Sequence, residues 1–290
     1  MKALEEAYAE INGVRLHYVA RGKGPLVLLL HGFPEFWYAW RHQLDDLGHD
    51  FRVVAPDTRG INLSSGPEDV ASYHLDTLVE DVRQLIAHLG YERAVLVGHD
   101  WGGFIAWETA IRYPALIDRL VILNAAHPGI FDRLLREGGA QAEASRYMLA
   151  FRSSRGEELL SRGDFAAFRA NILEPGLARG QLDRTDAERY LKAWRRPGSL
   201  TAGLNYYRAN KSGPLSGDDP RVRSLEETRI TVPTRVIWGE KDPYFVPQNL
   251  DLLPLAVPDL LLHRFPDADH WVVHQHSREV SALLREAALS

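Results

Sequence analysis

The chain has 290 residues, about two domains' worth of length, with 45% hydrophobic and 25% charged residues, which excludes disorder, collagen and coiled coil. Its 34 basic residues stand against 39 acidic ones, a net charge of −5, so the basic excess of a nucleic-acid binder is missing. There is no cysteine, hence no disulfide, thiolate metal site or cysteine nucleophile, and no apolar run reaches the ~18 residues of a membrane span. The start, MKALEEAYAE, is acidic and lacks an apolar h-region, so no secretory signal is read there. A soluble cytoplasmic protein without membrane or nucleic-acid partners is the expectation.

Residues 14–19 alternate and read as a half-buried strand. Residues 26–30 are continuously apolar, as in a strand covered on both faces. Short strands follow at 52–55, 94–97 and 120–123. Between them Leu75, Leu78, Val79, Val82, Leu85, Ile86 and Leu89 keep helical spacing up to Gly90. Such alternation predicts an α/β fold with a mostly parallel, doubly wound sheet. The pattern breaks at His127-Pro128. From there to about Glu227 the chain reads as helices divided by Gly138-Gly139, Pro175-Gly176, Pro197-Gly198 and Gly213-Pro214. Strands resume at 234–238 and 260–265, and a last helix runs over about 277–289. One α/β domain, 1–126 and 228–290, is thus interrupted by a helical domain, 127–227.

The strand at 94–97 runs into Gly98-His99-Asp100-Trp101-Gly102-Gly103 and then a helix, the layout of a nucleophile elbow with Asp in the central place. The competing reading is an Asp that caps the helix. Three further segments fit the chain order nucleophile, acid, histidine. The strand ending in His31-Gly32-Phe33-Pro34 leads into a loop that can lend a backbone N–H to an oxyanion. Asp242, in Gly239-Glu240-Lys241-Asp242-Pro243, follows a late strand, where ligands bind in open α/β sheets. His270 lies in a loop after the last strand. Asn124 ends its strand but is not acidic, so Asp242 is assigned as the acid. His99 orients the elbow. His270, His274 and His276 also admit a surface or metal-cluster reading, but no partner stands at ligand spacing, so no metal is expected.

The run HGFPEFWYAWR (31–41), GHDWGG, GEKD and the late DHW together resemble the epoxide hydrolase branch of the α/β-hydrolase family, over nearly the whole chain. The resemblance implies a helical cap after the sixth strand and two cap tyrosines. Leu204-Asn205-Tyr206-Tyr207-Arg208 is similar to the family's LN-x-YR segment and points to Tyr207, and the segment 145–151 points to Tyr147. Similar dehalogenases carry Asn where this chain has Phe33, or Arg after the nucleophile where it has Trp101.

The chemistry expected of these residues needs no cofactor. An ionised Asp100 attacks a saturated carbon and becomes an ester. His270, oriented by Asp242, activates water to hydrolyse it, and the N–H groups of Phe33 and Trp101 hold the oxyanion. The phenols of Tyr207 and Tyr147 serve the leaving alkoxide. His31, Pro34, Trp37, Phe151 and Trp194 are expected to line an apolar pocket for a small epoxide. The alternatives are a dehalogenase with the same nucleophile and a non-catalytic binding protein on this fold. A homodimer is left open.

Overall fold

The computed structural model describes residues 4–210 and 223–289. The break expected at Gly213-Pro214 lies outside them. Eight strands form one sheet: β1 (Glu5–Ile11), β2 (Val14–Arg21), β3 (Leu26–Leu30), β4 (Arg52–Pro56), β5 (Ala94–His99), β6 (Ile117–Leu123), β7 (Thr234–Gly239) and β8 (Leu260–Phe265). Their order is β1-β2-β4-β3-β5-β6-β7-β8, and only β2 runs against the rest.

β3 shows why an unbroken apolar run suits the middle of such a sheet. Leu26, Leu28 and Leu30 face one core layer, with helices α2 (Leu75–His88) and α3 (Trp101–Arg112). Val27 and Leu29 face the other, with α1 (Arg41–Leu47) and the C-terminal helix. None of the five is more than 2% exposed, and each such side chain contributes about 1.5–3 kcal/mol by leaving water. β2 departs from the half-buried expectation, since only Arg15 in it is exposed. It lies inside the sheet, and His17, on the face it shares with Arg15, Val19 and Arg21, is drawn in by Asp57 at 2.7 Å. β1 was not expected. It is the edge strand of a hairpin turned at Asn12-Gly13, both at positive φ as such turns require.

Between β6 and β7 the described residues form helices and no strand: α4 (Pro128–Glu137), α5 (Ala140–Ala144), α6 (Tyr147–Arg152), α7 (Gly156–Phe168), α8 (Glu174–Ala178), α9 (Arg184–Trp194) and α10 (Ser199–Ala209). After β7 come α11 (Gln248–Asp251), α12 (Leu253–Ala256), α13 (Val272–Gln275) and α14 (Ser277–Leu289). The helices before β7 settle on the loops at the carboxyl ends of β3 and β4. Trp194 Nε1 donates to Pro34 O (2.6 Å), Tyr190 Oη to Glu35 Oε1 (2.8 Å) and Tyr206 Oη to Arg59 O (2.9 Å). Among the described residues no helix is long and apolar enough to cross a membrane.

Candidate active site

Asp100 sits between β5 and α3 at φ 51° and ψ −120°, a backbone that side chains rarely adopt. Glycines let the chain turn so sharply. A Cβ on Gly98 would stand 2.3 Å from Gly102 O, and one on Gly102 would stand 2.2 Å from Leu30 O. The carboxylate makes no capping bond to α3, which removes the helix-cap reading. It points instead at the loop after β3. Gly32 there passes so close that a Cβ would lie 2.3 Å from the Asp100 Cβ, and Phe33 N–H donates to Oδ1 at 2.8 Å. Trp101 is the first residue of α3, where a helix N–H has no intrahelical acceptor.

His270 Nδ1 and Asp242 Oδ2 are 2.8 Å apart, and His270 Nε2 is 3.6 Å from Asp100 Oδ2. Asp242 is well held. Asn124 Nδ2 donates to its Oδ2 (2.7 Å), and the N–H groups of Tyr244 and Phe245 donate to its Oδ1 (2.7 and 3.1 Å). Burial works against a charged His270, but Asp242 and Asp100 outweigh it and raise its pKa to about 10. Burial likewise opposes charge on Asp100, yet His270, His99 and the Phe33 N–H hold its carboxyl below the usual range. Nucleophile-type carboxylate, imidazole and acid thus stand in one line, hydrogen-bonded on the Asp242 side and at ion-pair distance on the Asp100 side.

Behind it lies a group that sequence reasoning did not single out. Glu35 is fully buried, with Oε1 2.6 Å from His274 Nε2 and 2.8 Å from the donating Tyr190 hydroxyl. Its Oε2 faces His99 Nδ1 at 3.4 Å, and His99 Nε2 reaches His270 O at 2.9 Å. Burial alone would raise the Glu35 pKa, but the neighbouring histidines hold it well below the carboxylate range. The only signal was an acid in the aromatic run FPEFWYAW. His270 and His274 are therefore buried, not on the surface, and the described residues hold no group of side chains fit for a metal.

The two tyrosines arrive from separate helices, Tyr147 from α6 and Tyr207 from α10, with ring centroids 6.3 Å apart. Tyr207 stands edge-on to Trp101 (5.1 Å), Phe33 (5.9 Å) and Phe151 (5.1 Å). Tyr147 meets Phe151 (5.1 Å) and Tyr244 (5.2 Å), and Tyr244 in turn covers His270 (4.9 Å). Burial and the charge of Asp100 push both phenols well above the usual range, so both stay protonated. Tyr244 was not foreseen. Its pKa is pushed up to about 12 by burial and then by Asp100 and Asp242. Pro34 and Trp194 line an apolar cavity beside Phe33, with Ile61, Phe165 and Phe168.

Two expected pocket residues serve elsewhere. His31 is 2% exposed and spends both ring nitrogens on main chain, Nδ1 at Gly32 O (2.8 Å) in its own loop and Nε2 at Thr58 N–H (3.0 Å) in the loop after β4. The Trp37 ring packs edge-on against Phe36 and Tyr38, and its backbone N–H donates to Asp57 Oδ1 (3.0 Å). It belongs to the turn after β3 and not to the aromatic ring around Asp100.

Residues 25–277 match the family model of the alpha/beta hydrolase fold. The crystal structure of a Bacillus megaterium epoxide hydrolase in complex with an inhibitor superposes with a TM-score of 0.92 at 40% identity, covering 98% of this chain and 100% of that one. Epoxide hydrolase 4 of Mus musculus is 36% identical over 94% of this chain and 76% of its own length. An AB hydrolase superfamily protein of Bacillus subtilis (strain 168) is 36% identical over 99% of this chain and 98% of its own.

Proposed function

The chain belongs to the α/β-hydrolase fold family, in its epoxide hydrolase branch, and from that premise we propose that it opens a small apolar epoxide to a vicinal diol through an ester of Asp100. Residues 127–227 act as the cap of the site. The ionised Asp100 attacks one ring carbon, the C–O bond of the epoxide breaks, and the alkoxide takes a proton from a phenol of the Tyr147/Tyr207 pair while the other donates a hydrogen bond. Water then attacks the ester carbonyl and gives its proton to His270. The N–H groups of Phe33 and Trp101 hold the oxyanion. Collapse passes the remaining hydroxyl proton to the departing alkoxide, releases the diol and restores the carboxylate, with His270 again charged. Epoxide and water are thereby converted to diol with no net proton.

The same scheme explains how one imidazole meets two demands. Before attack His270 is charged, and its proton helps keep Asp100 ionised. Esterification removes the Asp100 charge, one of the two that hold the proton on, so His270 gives that proton up to the phenolate left by ring opening and the neutral ring is a base when a base is needed.

The observation that carries epoxide over halide is the pair of protonated phenols, Tyr207 buried and Tyr147 half-buried, that feel the charge of Asp100. A halide leaves without a proton, whereas an alkoxide does not. Incubation with styrene oxide and, separately, chloroacetate tests the reading: diol from the first is expected, and chloride release without diol formation sinks it. In His270→Gln the ester should accumulate as a mass increase of one substrate on the peptide holding Asp100.

A further inference from the structure

Tyr147 stands on an arm whose far end is tied to α10, where Arg152 Nε donates to Tyr207 O (3.0 Å), and whose near end follows two glycines. α5 and α6 have five and six residues, too few to hold a fixed place unaided. They follow Gly138-Gly139, both at positive φ (78° and 77°), with open space where either Cβ would be. α4 before the glycines is anchored by Ile130, Phe131 and Leu135 in the core. The place of Tyr147 over the site therefore depends on what grips the chain after the glycines.

That grip is Gln141, 2% exposed, whose amide uses all four of its strongest bonding positions. Nε2 donates to Tyr244 O (2.8 Å) and Ser145 Oγ (2.9 Å). Oε1 accepts from Val246 N–H (3.1 Å) and Asn249 Nδ2 (2.7 Å). The backbone partners admit one orientation, since a reversed amide would set NH2 against N–H and oxygen against carbonyl. Three of the partners lie just beyond Asp242, in the segment that also bears Tyr244, which touches both Tyr147 and His270. The fourth, Ser145, is two residues before Tyr147.

We infer that Gln141 is a positioning residue for Tyr147, a latch closing the arm hinged at Gly138-Gly139 onto the loop that carries Asp242. The inference rests on the proposed reaction for its catalytic consequence. Tyr207 has anchors of its own on the α/β unit: α10 docks through Tyr206 on Arg59 O, Ser199 Oγ under the Asn62 N–H (3.0 Å) and Ala202 against Gly60. The latch thus acts on Tyr147 directly and on Tyr207 only through the contacts of α6 with α10.

Gln141→Leu keeps the bulk and removes all four bonds. Its single-turnover alkylation rate, followed by tryptophan fluorescence, should fall about tenfold or more, as expected for a misplaced proton donor. Adding Tyr147→Phe should cost little further, whereas adding Tyr207→Phe should multiply the losses. Hydrogen exchange should quicken in peptides covering 140–152 and stay unchanged in α10 and the sheet. Equal, multiplicative losses with both tyrosine variants, or unchanged exchange at 140–152, would overturn the latch. Should Gln141→Leu fail to fold, Ser145→Ala removes one acceptor and must show the same non-additivity at smaller amplitude, and simple multiplication there overturns it too. If wild-type protein opens no epoxide, the catalytic reading falls by itself, and the exchange result alone decides the latch.

Discussion

Asp100 and Asp242 act on His270 from opposite sides of the ring, and that balance is open to direct test. Asp100→Asn removes one of the two charges that raise its pKa to about 10. The imidazole should then titrate lower than in wild type by 15N resonance, and an unchanged titration would show that the two groups are not coupled. The base form of His270 is the one that activates water. Ester hydrolysis should therefore fall as pH drops through the lowered value, not as it rises. Asp100, Asp242 and His270 were legible in the sequence because each follows a strand in the order such a site demands. Glu35 and Gln141 were not. Their partners lie 239 and 103 residues away, and a polar side chain reveals its use only by what crosses to meet it.

At the scale of elements, the first turn of α3 presses on the end of β3 with no room to spare. Gly102→Ala would place a methyl 2.2 Å from a main-chain oxygen, which cannot rotate away as a side chain could. A loss of about 1–3 kcal/mol is expected from such overpacking, read as a lower urea midpoint with unchanged slope. Diol formation should fall with it, because Asp100 rides on the displaced turn. An Ala variant of wild-type stability would mean that the close approach has slack. The elements themselves were well marked. β8 and α14 run over the residues that the pattern predicts, and β5 extends only through Gly98 and His99 beyond it. β1 escaped notice, although Asn12-Gly13 is a hairpin signal, because its exposed acids at 5, 6 and 10 hide the alternation.

Across the whole molecule, the helical block leaves and re-enters the α/β unit at one place. His127, where the chain departs, sets Nε2 2.9 Å from the carbonyl of Thr228, where it returns. Burial lowers the His127 pKa to about 4. Protonation therefore favours the unfolded chain: the stability held by neutral His127 is present above about 6.5 and lost as pH falls through about 4. His127→Gln keeps an N–H donor and cannot titrate. Its melting temperature should fall less than that of wild type between those pH values, and parallel curves would exclude His127 as the acid-sensitive group.

What the sequence determined by itself follows from local order. Continuous apolar runs placed strands with two covered faces, helical spacing placed α2, and glycines around Asp100 announced a turn that only small residues permit. The change of pattern at His127 announced the helical insertion. The tertiary structure alone decided which side chains share the site. It turned the Asp100 carboxylate away from its helix toward Phe33, took His31 out of the pocket to brace the loop, and set Tyr244 between Tyr147 and His270. The physical reason is that burial and charge act through space. The protonation of His270, Asp100 and the two phenols depends on one another across more than a hundred residues of chain, and no local pattern encodes that distance.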